Sequence, residues 1–334
     1  MLEVRPATGL QVLEMMGGFR ASCVIGACAE LDVWSRLGEK SLSAEVMAQS
    51  LDCDLRAMTI ILDAAAALGL LEKTGGDYSV PVEIRAVLNE DSPRTVLPMI
   101  RHQMNILRCW SQLAWVAKSG KPGSRQASIR GAEADRAAFI AAMHSVSQMF
   151  ADDLVARLGP LKFAHLLDVG GASGTWTLAL LRAAPGAKAT IFDLPDAIQQ
   201  ARERVEKSEF ASRITLVGGD FYSDELPKGA DFGWVSAIAH QHSRRHNREL
   251  FAKVFDALAP KGRIAVRDFV MEPSRTSPRE GAMFAVNMLV NTESGGTFTF
   301  DEFAEDLRAA GFAEPRLAVG GETMNSVIVA DRPG

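Results

Sequence analysis

A carboxylate stands directly before a glycine-rich turn in the second half of the chain. Apolar residues lead up to Asp168, the turn Gly170-Gly171-Ala172-Ser173-Gly174 follows it, and a helical pattern begins at Thr175. Strand, tight turn and helix is the arrangement that brings backbone N–H groups up to a nucleotide-like ligand. Because Asp168 would repel phosphate and attract a cation, a ligand with an amino-acid end fits this turn better than a pyrophosphate does.

The spacing of the glycines also bears on which nucleotide could bind. The dinucleotide fingerprint G-x-G-x-x-G would require glycine at positions 172 and 175, where the chain has Ala172 and Thr175. This difference disfavours a nicotinamide-dependent dehydrogenase.

Two more carboxylates follow the next two predicted strands. Asp193 comes 23 residues after Gly170, which is close to the spacing of an acid that binds ribose hydroxyls. Asp220 precedes Phe221, and such a pair can bind the amino edge of a purine while the ring packs on its face. Strand-end aspartates also cap helices and form turns. Three of them in order on successive strands nevertheless favour a nucleotide-like ligand.

These side chains need a sheet whose strands end together, and the sequence predicts one. Strands and helices alternate after Pro160, which is typical of a mostly parallel, doubly wound α/β sheet. The last two strands must pair antiparallel, because the turn between them is too short for a parallel crossover. Ligands of such sheets bind beyond the carboxyl ends, where His240 and Asp268 follow the fourth and fifth strands. Strands are expected at 165–169, 188–193, 213–217, 231–238, 262–269, about 315–319 and 325–330, and helices near 175–184, 195–207, 244–259 and 301–310.

The first half of the chain is predicted to be helical and to contain a winged-helix module. Residues 10–37 and 54–68 carry apolar side chains at helical spacing, Ser43 is the expected N-cap of a short helix, and residues 70–80 form a predicted β-hairpin. Winged helices can bind DNA, but residues 1–100 contain eight Lys and Arg against fourteen Asp and Glu. Because phosphate contacts dominate DNA affinity, this balance favours an assembly or substrate-covering domain over a nucleic-acid partner.

Composition places the chain among ordinary globular proteins. Its 334 residues are enough for two domains, and a net charge of −5 offers no basic field to nucleic acid or to an anionic membrane. The chain start lacks the layout of a signal peptide, and no uninterrupted apolar run reaches membrane-spanning length. A cytoplasmic protein without a membrane partner is therefore expected, and its four cysteines, which lack Cys-x-x-Cys spacing, should be reduced.

Three histidines near the end of the fourth strand invite a metal hypothesis. His242 and His246 could share one face of a helix that begins near Ser243, but His240 could not join them. No cysteine or paired acid nearby completes a four-ligand shell. No metal is therefore expected.

Residues 166–174, 191–195 and 219–221 together resemble the S-adenosylmethionine-dependent small-molecule O-methyltransferases, the family of caffeic-acid-type plant and bacterial tailoring enzymes. The similarity extends over nearly the whole chain. It implies a homodimer, a C-terminal seven-stranded Rossmann-like domain with a reversed terminal hairpin, and S-adenosylmethionine as the cofactor, which leaves as S-adenosylhomocysteine. It divides the chain into a mostly helical, winged-helix dimerisation domain at 1–100, connecting helices that line the substrate pocket at 101–158, and a methyltransferase domain at 159–334.

The resemblance also implies roles for individual residues. His240 falls where the family places its general base, and Asp268 matches the acid that orients that histidine. A phenol has a pKa near 10, so an imidazole that takes its proton contributes about 10²–10⁴-fold in rate. The implied cofactor residues are Asp168, Gly170, Gly171 and Gly174 at the methionine end, Asp193 and Leu194 at the ribose, and Gly219, Asp220, Phe221 and Ser236. Candidates for contact with the small-molecule acceptor are Phe139, Met143, His144, Met288 and Asn291.

Three positions depart from the family's pattern. The family reads His-Asp-Trp where the chain has His240-Gln241-His242, and a lysine is frequent where the chain has Ser236. The segment 295–299 is one residue shorter than its counterpart and lacks a second acid. Three functions therefore stay open: methyl transfer to a hydroxyl of an aromatic or polyketide-like molecule, C- or N-methylation or a non-methylating reaction with the same cofactor, and a ligand-responsive winged-helix regulator.

Overall fold

The computed structural model describes residues 8–171 and 173–334, which fall into two compact units. One unit comprises the described residues up to Leu107 together with Gln126–Ser145, and the other comprises Arg108–Arg125 and Val146–Gly334. Two of the sequence predictions fall outside the described residues. One is the departure from the dinucleotide fingerprint at Ala172, and the other is the lack of a signal-peptide layout at the chain start. The domain limits at residues 100 and 158 stay a prediction.

Short helices and one small sheet make up the chain before residue 160. Ser43 accepts a hydrogen bond from the N–H of Val46 and Asp54 accepts one from Ala57, so both residues act as N-caps. The antiparallel pairing of β2 with β3 confirms the predicted hairpin. The helices are α1 (Gly9–Gly17), α2 (Phe19–Glu30), α3 (Val33–Leu37), α4 (Ala44–Ser50), α5 (Leu55–Ala67), α6 (Val82–Arg85), α7 (Leu97–Trp110), α8 (Leu113–Ser119), α9 (Ala132–Ser147) and α10 (Ala151–Arg157). The strands are β1 (Leu42–Ser43), β2 (Glu72–Thr74) and β3 (Asp77–Ser79).

Helix α1 exposes an apolar surface. Leu10, Leu13 and Met16 are 68%, 70% and 68% exposed. The stretch Gly9–Glu30 is long and apolar enough, by length and composition only, to cross a membrane. Glu14 and Arg20 interrupt this stretch, so it does not contradict the prediction that no uninterrupted apolar run reaches membrane-spanning length. The core helix of a soluble protein passes the same test.

A seven-stranded sheet forms the second half of the chain, with strand order β11-β12-β8-β7-β4-β5-β6. Its pairings are parallel except that β12 runs antiparallel to both β8 and β11. These pairings confirm the predicted α/β fold and its reversed terminal hairpin. The strands are β4 (His165–Val169), β5 (Lys188–Asp193), β6 (Ile214–Gly218), β7 (Ala230–Ser236), β8 (Leu258–Asp268), β11 (Ala313–Val319) and β12 (Ser326–Asp331), and β9 (Val270–Met271) pairs separately with β10 (Phe298–Thr299). The helices are α11 (Thr175–Ala183), α12 (Pro195–Glu206), α13 (Arg244–Ala257), α14 (Arg279–Asn291) and α15 (Phe300–Ala309).

Alternate side chains of the central strands enter two apolar clusters, one on each face of the sheet. Leu167 and Val235 pack with residues of α13 and α15. Leu166 and Trp234 pack with residues of α10 and α11. Because successive strand residues point to opposite faces, a strand buried on both sides must be apolar throughout. This burial makes the sheet a rigid frame for the loops at its carboxyl edge.

The strand order creates a switch point beside β4. Strand β4 pairs with β5 on one side and with β7 on the other, so the segments that follow β4 and β7 diverge from a common crevice. Open α/β sheets bind their ligands at such a crevice. Two backbone bonds fix the register there, from Gly170 N to the Phe192 carbonyl at 2.8 Å and from Gly219 N to the Asp193 carbonyl at 2.9 Å. The glycine turn and the two acidic strand ends therefore lie along one edge.

Candidate active site

Asp168, the penultimate residue of β4, is a buried carboxylate with one of its two oxygens unpaired in the part of the chain that the structure describes. It is 1% exposed, and its Oδ2 accepts a bond from the Thr177 hydroxyl at 2.6 Å. Its Oδ1 has no hydrogen-bond partner among the described residues. Burial raises the pKa of Asp168 to about 7, partly offset by Thr177 and assisted by the charge of Asp193. A buried carboxylate in this state attracts a cationic donor.

The glycines around Asp168 leave no room for side chains. A Cβ on Gly171 would lie 2.2 Å from Cγ of Asp168, and one on Gly170 would lie 2.5 Å from Cδ1 of Ile238. Gly170 also has a positive φ of 74°, which glycine adopts without strain. The turn is fixed from α12, where the Arg204 guanidinium donates to the Ser173 carbonyl at 2.5 Å. Backbone at this turn can therefore approach a ligand closely.

Asp193 and Leu194 lie at the junction of β5 and α12. Asp193 Oδ1 accepts the backbone N–H of Leu194 at 2.7 Å, which orients the carboxyl group at the strand end. The Leu194 side chain is 53% exposed. An apolar side chain beside an oriented carboxylate suits a sugar that offers both hydroxyls and an apolar face.

The loop after β6 presents Asp220 and Phe221. Asp220 Oδ1 accepts the N–H of Tyr222 at 2.9 Å, and the N–H of Asp220 donates to Asp224 at 2.8 Å. Gly219 lets this loop approach the sheet, since a Cβ there would lie 2.6 Å from the Phe192 ring. Asp220 and the half-buried Phe221 ring are thus held side by side, and their contact with a purine stays a prediction.

His240, in a 3-10 turn four residues after β7, and Asp268, at the end of β8, form a buried pair. His240 is 5% exposed, and its Nδ1 lies 2.9 and 3.0 Å from the two carboxylate oxygens of Asp268. The same carboxylate accepts the backbone N–H groups of His240 and Phe269. An ionised carboxylate only accepts, so the proton of the neutral ring is assigned to Nδ1. Nε2 then carries the lone pair, and it has no partner among the described residues.

Backbone geometry turns His240 toward Asp268. Ala237 has a left-handed φ of 58°, which bends the chain away from β7. The buried Asn247 amide donates to the Ala239 carbonyl at 3.0 Å, and Gly296 N donates to the His240 carbonyl at 2.8 Å. The Phe284 ring of α14 meets His240 edge-on at 4.8 Å. His240 is therefore held through Asp268, Asn247 and Gly296 and is bounded on one side by the Phe284 ring.

The candidate acceptor residues are divided between the two units. In the second unit, Met288 and Asn291 lie on α14, where the Asn291 amide donates to the side-chain oxygen of Asn287 at 3.0 Å. In the first unit, Phe139, Met143 and His144 lie on α9, and Phe139 packs against a neighbouring histidine ring at 5.0 Å. Contact of these residues with an acceptor stays a prediction.

The departures from the family's pattern have structural counterparts. The Ser236 hydroxyl accepts from the Arg267 guanidinium at 3.1 Å. Burial lowers the pKa of Arg267 to about 10, and its guanidinium lies 4.4 Å from the Trp176 ring centroid. In the described part of the chain, Asp268 is the one carboxylate within ion-pair distance of His240. A contact between Ser236 and the cofactor stays a prediction.

His242 and His246 both lie against Tyr222 rather than around a shared ligand position. Across residues 8–171 and 173–334, no group of three His, Cys, Asp or Glu side chains could hold a metal ion. Burial, followed by the charges of His246 and His240, lowers the pKa of His242 to about 4. His242 is therefore neutral near pH 7 and a weaker base than an ordinary histidine.

Several contributors were missed by sequence reasoning. Thr177, Asn247, Lys253 and Phe284 act through contacts with residues far away in sequence. Thr177 lies in the first turn of α11 on the face toward Asp168, and that position was the available sequence signal. The other three contacts depend on helix packing that the sequence pattern does not specify.

The residues present fit S-adenosylmethionine. The unpaired Oδ1 of Asp168 offers an acceptor for the ammonium of the methionine end, and Gly170 and Gly171 leave space for that end. Asp193 offers an acceptor for ribose, and Asp220 and Phe221 offer an edge and a face for adenine. The side chains assigned here to the ligand are carboxylates and one aromatic ring, whereas a pyrophosphate would favour arginine or lysine.

Comparisons with known proteins agree with this geometry. Residues 110–313 match the model of the O-methyltransferase domain, and residues 13–81 match the O-methyltransferase dimerisation domain. The chain is 28% identical to acetylserotonin O-methyltransferase of Gallus gallus, over 95% of this chain and 96% of that protein. It is 30% identical to the tetracenomycin polyketide synthesis 8-O-methyl transferase TcmO of Streptomyces glaucescens, over 93% of each.

The fold is shared with a solved structure. Human N-acetylserotonin methyltransferase in complex with SAM superposes with a TM-score of 0.83 at 24% identity, over 100% of both chains. The match to the dimerisation domain covers most of residues 1–100, the module for which the sequence also offers a DNA-binding regulator. With both domain matches in place, the chain belongs to the O-methyltransferase family.

Proposed function

We propose that this protein transfers a methyl group from S-adenosylmethionine to a hydroxyl group of a small aromatic or polyketide-like metabolite, with His240 as general base. The observation that carries the proposal is the buried His240 ring, with Nδ1 on Asp268 and Nε2 without a partner among the described residues. The relative TcmO, named for tetracenomycin polyketide synthesis, supports an acceptor of that class.

The cofactor is held by the residues along the carboxyl edge of the sheet. Asp168 binds the ammonium of the methionine end, Asp193 binds the ribose and Asp220 with Phe221 receives the adenine. When bound, S-adenosylmethionine supplies a methyl group on a positively charged sulfur, which leaves as a neutral thioether. Orientation of the acceptor oxygen in line with that methyl group supplies much of the rate enhancement.

His240 moves the proton. Asp268 fixes the tautomer with hydrogen on Nδ1, so Nε2 accepts the proton of the acceptor hydroxyl as its oxygen attacks. The carboxylate then stabilises the imidazolium, in the same way as the acid of a hydrolase triad. The edge-on Phe284 ring limits the rotation of His240 and gives the acceptor an apolar wall.

The N-terminal half serves assembly in this proposal. A homodimer forms through the dimerisation domain, and the exposed apolar face of α1 provides surface for a second copy. Burial of Leu10, Leu13 and Met16 between protomers would remove their apolar surface from water at about 25 cal/mol per Å². Size-exclusion chromatography with light scattering, comparing the protein with a Leu13→Asp variant, tests this assignment.

Product analysis tests the reaction. The protein is incubated with methyl-labelled S-adenosylmethionine and a panel of phenols and hydroxylated polyketides, and mass spectrometry with NMR locates the label. We expect a gain of one methyl group on oxygen. His240→Ala should lower kcat by about 10²–10⁴-fold and leave the affinity for S-adenosylhomocysteine unchanged.

His165→Ala is the matched control, since His165 begins β4 at the opposite edge of the sheet. Activity should survive that change. A methyl group on carbon or nitrogen, or full turnover of His240→Ala, would contradict the proposal.

A further inference from the structure

Tyr222 and His242 join two loops that follow non-neighbouring strands. Tyr222 comes after β6 and His242 after β7, and both β4 and β5 lie between these strands in the sheet. The Tyr222 hydroxyl is hydrogen-bonded to Nδ1 of His242, and the two rings meet edge-on at 5.2 Å. The adenine side of the candidate cofactor site is thereby tied to the segment that carries His240.

The chemistry of this contact assigns its donor. Since burial and the neighbouring histidines keep His242 neutral near pH 7, its Nδ1 can accept while the proton of the ring lies on Nε2. The Tyr222 hydroxyl therefore donates, and burial together with Asp220 and Glu249 raises its pKa, which keeps it protonated. Both partners keep these protonation states near pH 7, so the hydrogen bond can form there.

The contact bears directly on Phe221. The His242 ring meets Phe221 edge-on at 5.6 Å, and the Tyr222 ring lies 4.9 Å from it. The backbone N–H of Tyr222 is also bound to Asp220 Oδ1. A displacement of Tyr222 would therefore move both groups that face the adenine.

A second tether holds the same loop. The Lys253 ammonium of α13 donates to the carbonyls of Phe221 at 2.6 Å and of Tyr222 and Asp224 at 3.0 Å each. It fixes the backbone of the loop, whereas the hydrogen bond of Tyr222 fixes a side chain. Because Lys253 holds the backbone, loss of the Tyr222 hydroxyl should loosen the loop without unfolding it.

We propose that Tyr222 and His242 are positioning residues that hold Asp220 and Phe221 in the arrangement that receives the adenine of the cofactor. The inference rests on the proposed function, because it takes S-adenosylmethionine as the ligand of this edge. It gives His242, one of the positions that depart from the family's pattern, a role in cofactor affinity rather than in proton transfer.

A double-mutant cycle tests the contact. S-adenosylhomocysteine is titrated calorimetrically into the full-length protein and into Tyr222→Phe, His242→Phe and the double variant. Each single change should raise Kd about fivefold, the value of one net hydrogen bond. The double variant should lose no more than either single variant, because the two changes remove the same bond. His242→Gln retains an acceptor and should bind more tightly than His242→Phe.

Further readouts separate positioning from general loss of structure. At saturating S-adenosylmethionine, kcat and the KM for the acceptor should stay near those of the unmodified protein. The melting temperature of Tyr222→Phe should fall by no more than about 4 °C, because one hydrogen bond is lost and this side chain is 52% exposed. Tyr78→Phe is the matched control, since the chain has two tyrosines and the hydroxyl of the other is bound to Asp63 in the first unit. It should leave Kd unchanged.

The outcomes distinguish the two proposals. Unchanged binding by Tyr222→Phe, or a double-variant loss equal to the product of the single losses, would overturn the positioning role while the proposed function stands. If His242→Phe fails to fold, Tyr222→Phe and His242→Gln still decide the matter. An unmodified protein that binds neither S-adenosylmethionine nor its product would overturn the proposed function and this role with it.

Discussion

The ends of β4 and β8 both carry a buried aspartate, and the two are completed in different ways. Asp268 receives hydrogen bonds from the His240 ring and from the backbone N–H groups of His240 and Phe269. Asp168 receives one from Thr177, and its second oxygen has no partner among the described residues. Folding thus pairs both oxygens of Asp268 within the protein and leaves one oxygen of Asp168 without a donor in the described part of the chain.

In the proposed mechanism, this difference separates cofactor binding at Asp168 from proton transfer at His240 and Asp268. A carboxylate that accepts several hydrogen bonds can orient a base, whereas a buried carboxylate with few donors, such as Asp168, has a raised pKa and gains from a cation. Substitution of each aspartate should therefore impair a different property of the protein. Asp268 should govern turnover, and Asp168 should govern cofactor affinity and the pH dependence of that affinity.

The largest expected effect is on turnover in Asp268→Asn. The amide has one acceptor oxygen for three donors and no charge to stabilise an imidazolium, so kcat should fall by about 10²–10⁴-fold. Single-turnover kinetics at saturating S-adenosylmethionine measures this. Asp231→Asn is the control, since Asp231 binds backbone N–H groups at the opposite edge of the sheet. If kcat of Asp268→Asn fell by less than tenfold, the proposed difference between the two aspartates would be contradicted.

Asp168→Asn should stabilise the cofactor-free protein at pH 8. The folded-state pKa is raised to about 7, so the contribution of this group to stability is full below the unfolded-state pKa near 4 and is lost as pH rises through 7. The gain at pH 8 is at most about 4 kcal/mol. Denaturant unfolding at fixed protein concentration measures it. Equal free energies of unfolding of the two proteins at pH 8 would show that ionisation of the buried Asp168 does not destabilise the folded state.

Cofactor affinity should rise with pH. If the ammonium of the ligand requires ionised Asp168, Kd for S-adenosylhomocysteine should fall about tenfold per unit as pH rises toward 7 and level off above it. Each binding event should release a proton below pH 7, and calorimetry in buffers of different ionisation enthalpy detects that release. Flat affinity between pH 5.5 and about 8 would place the ammonium elsewhere.

The smallest effect is expected for Thr177→Val. The Thr177 hydroxyl lowers the pKa of Asp168, so its loss should move the midpoint of the affinity profile to higher pH and raise Kd at pH 7 about threefold. Thr190→Val is the control, because the Thr190 hydroxyl contacts His165 instead. A downward shift of the midpoint would contradict the role of Thr177.

Sequence reasoning found most of the frame because the frame follows from local patterns. The parallel strands are apolar runs, Ser43 and Asp54 cap helices through their own neighbours, and the short final turn imposes antiparallel pairing. The strand-end residues Asp168 and His240 follow from the same pattern, because the end of a strand is visible in the sequence.

The supporting contacts were not predictable in this way. Phe284 reaches His240 from a helix whose bounds the sequence pattern did not define, and Lys253 reaches carbonyls about 30 residues away along the chain. The Tyr222–His242 bond crosses two strands. Such contacts depend on how helices pack on the sheet. The sequence alone does not distinguish the side chains that make them from ordinary surface residues.

The most direct test of the division between the two aspartates is calorimetric titration of S-adenosylhomocysteine into Asp168→Asn and Asp268→Asn side by side at pH 8. The account predicts that Asp168→Asn raises Kd by about 10–100-fold, the value of a hydrogen bond to a charged group. Asp268→Asn should bind like the unmodified protein. Equal losses in the two variants, or a larger loss in Asp268→Asn, would contradict the account.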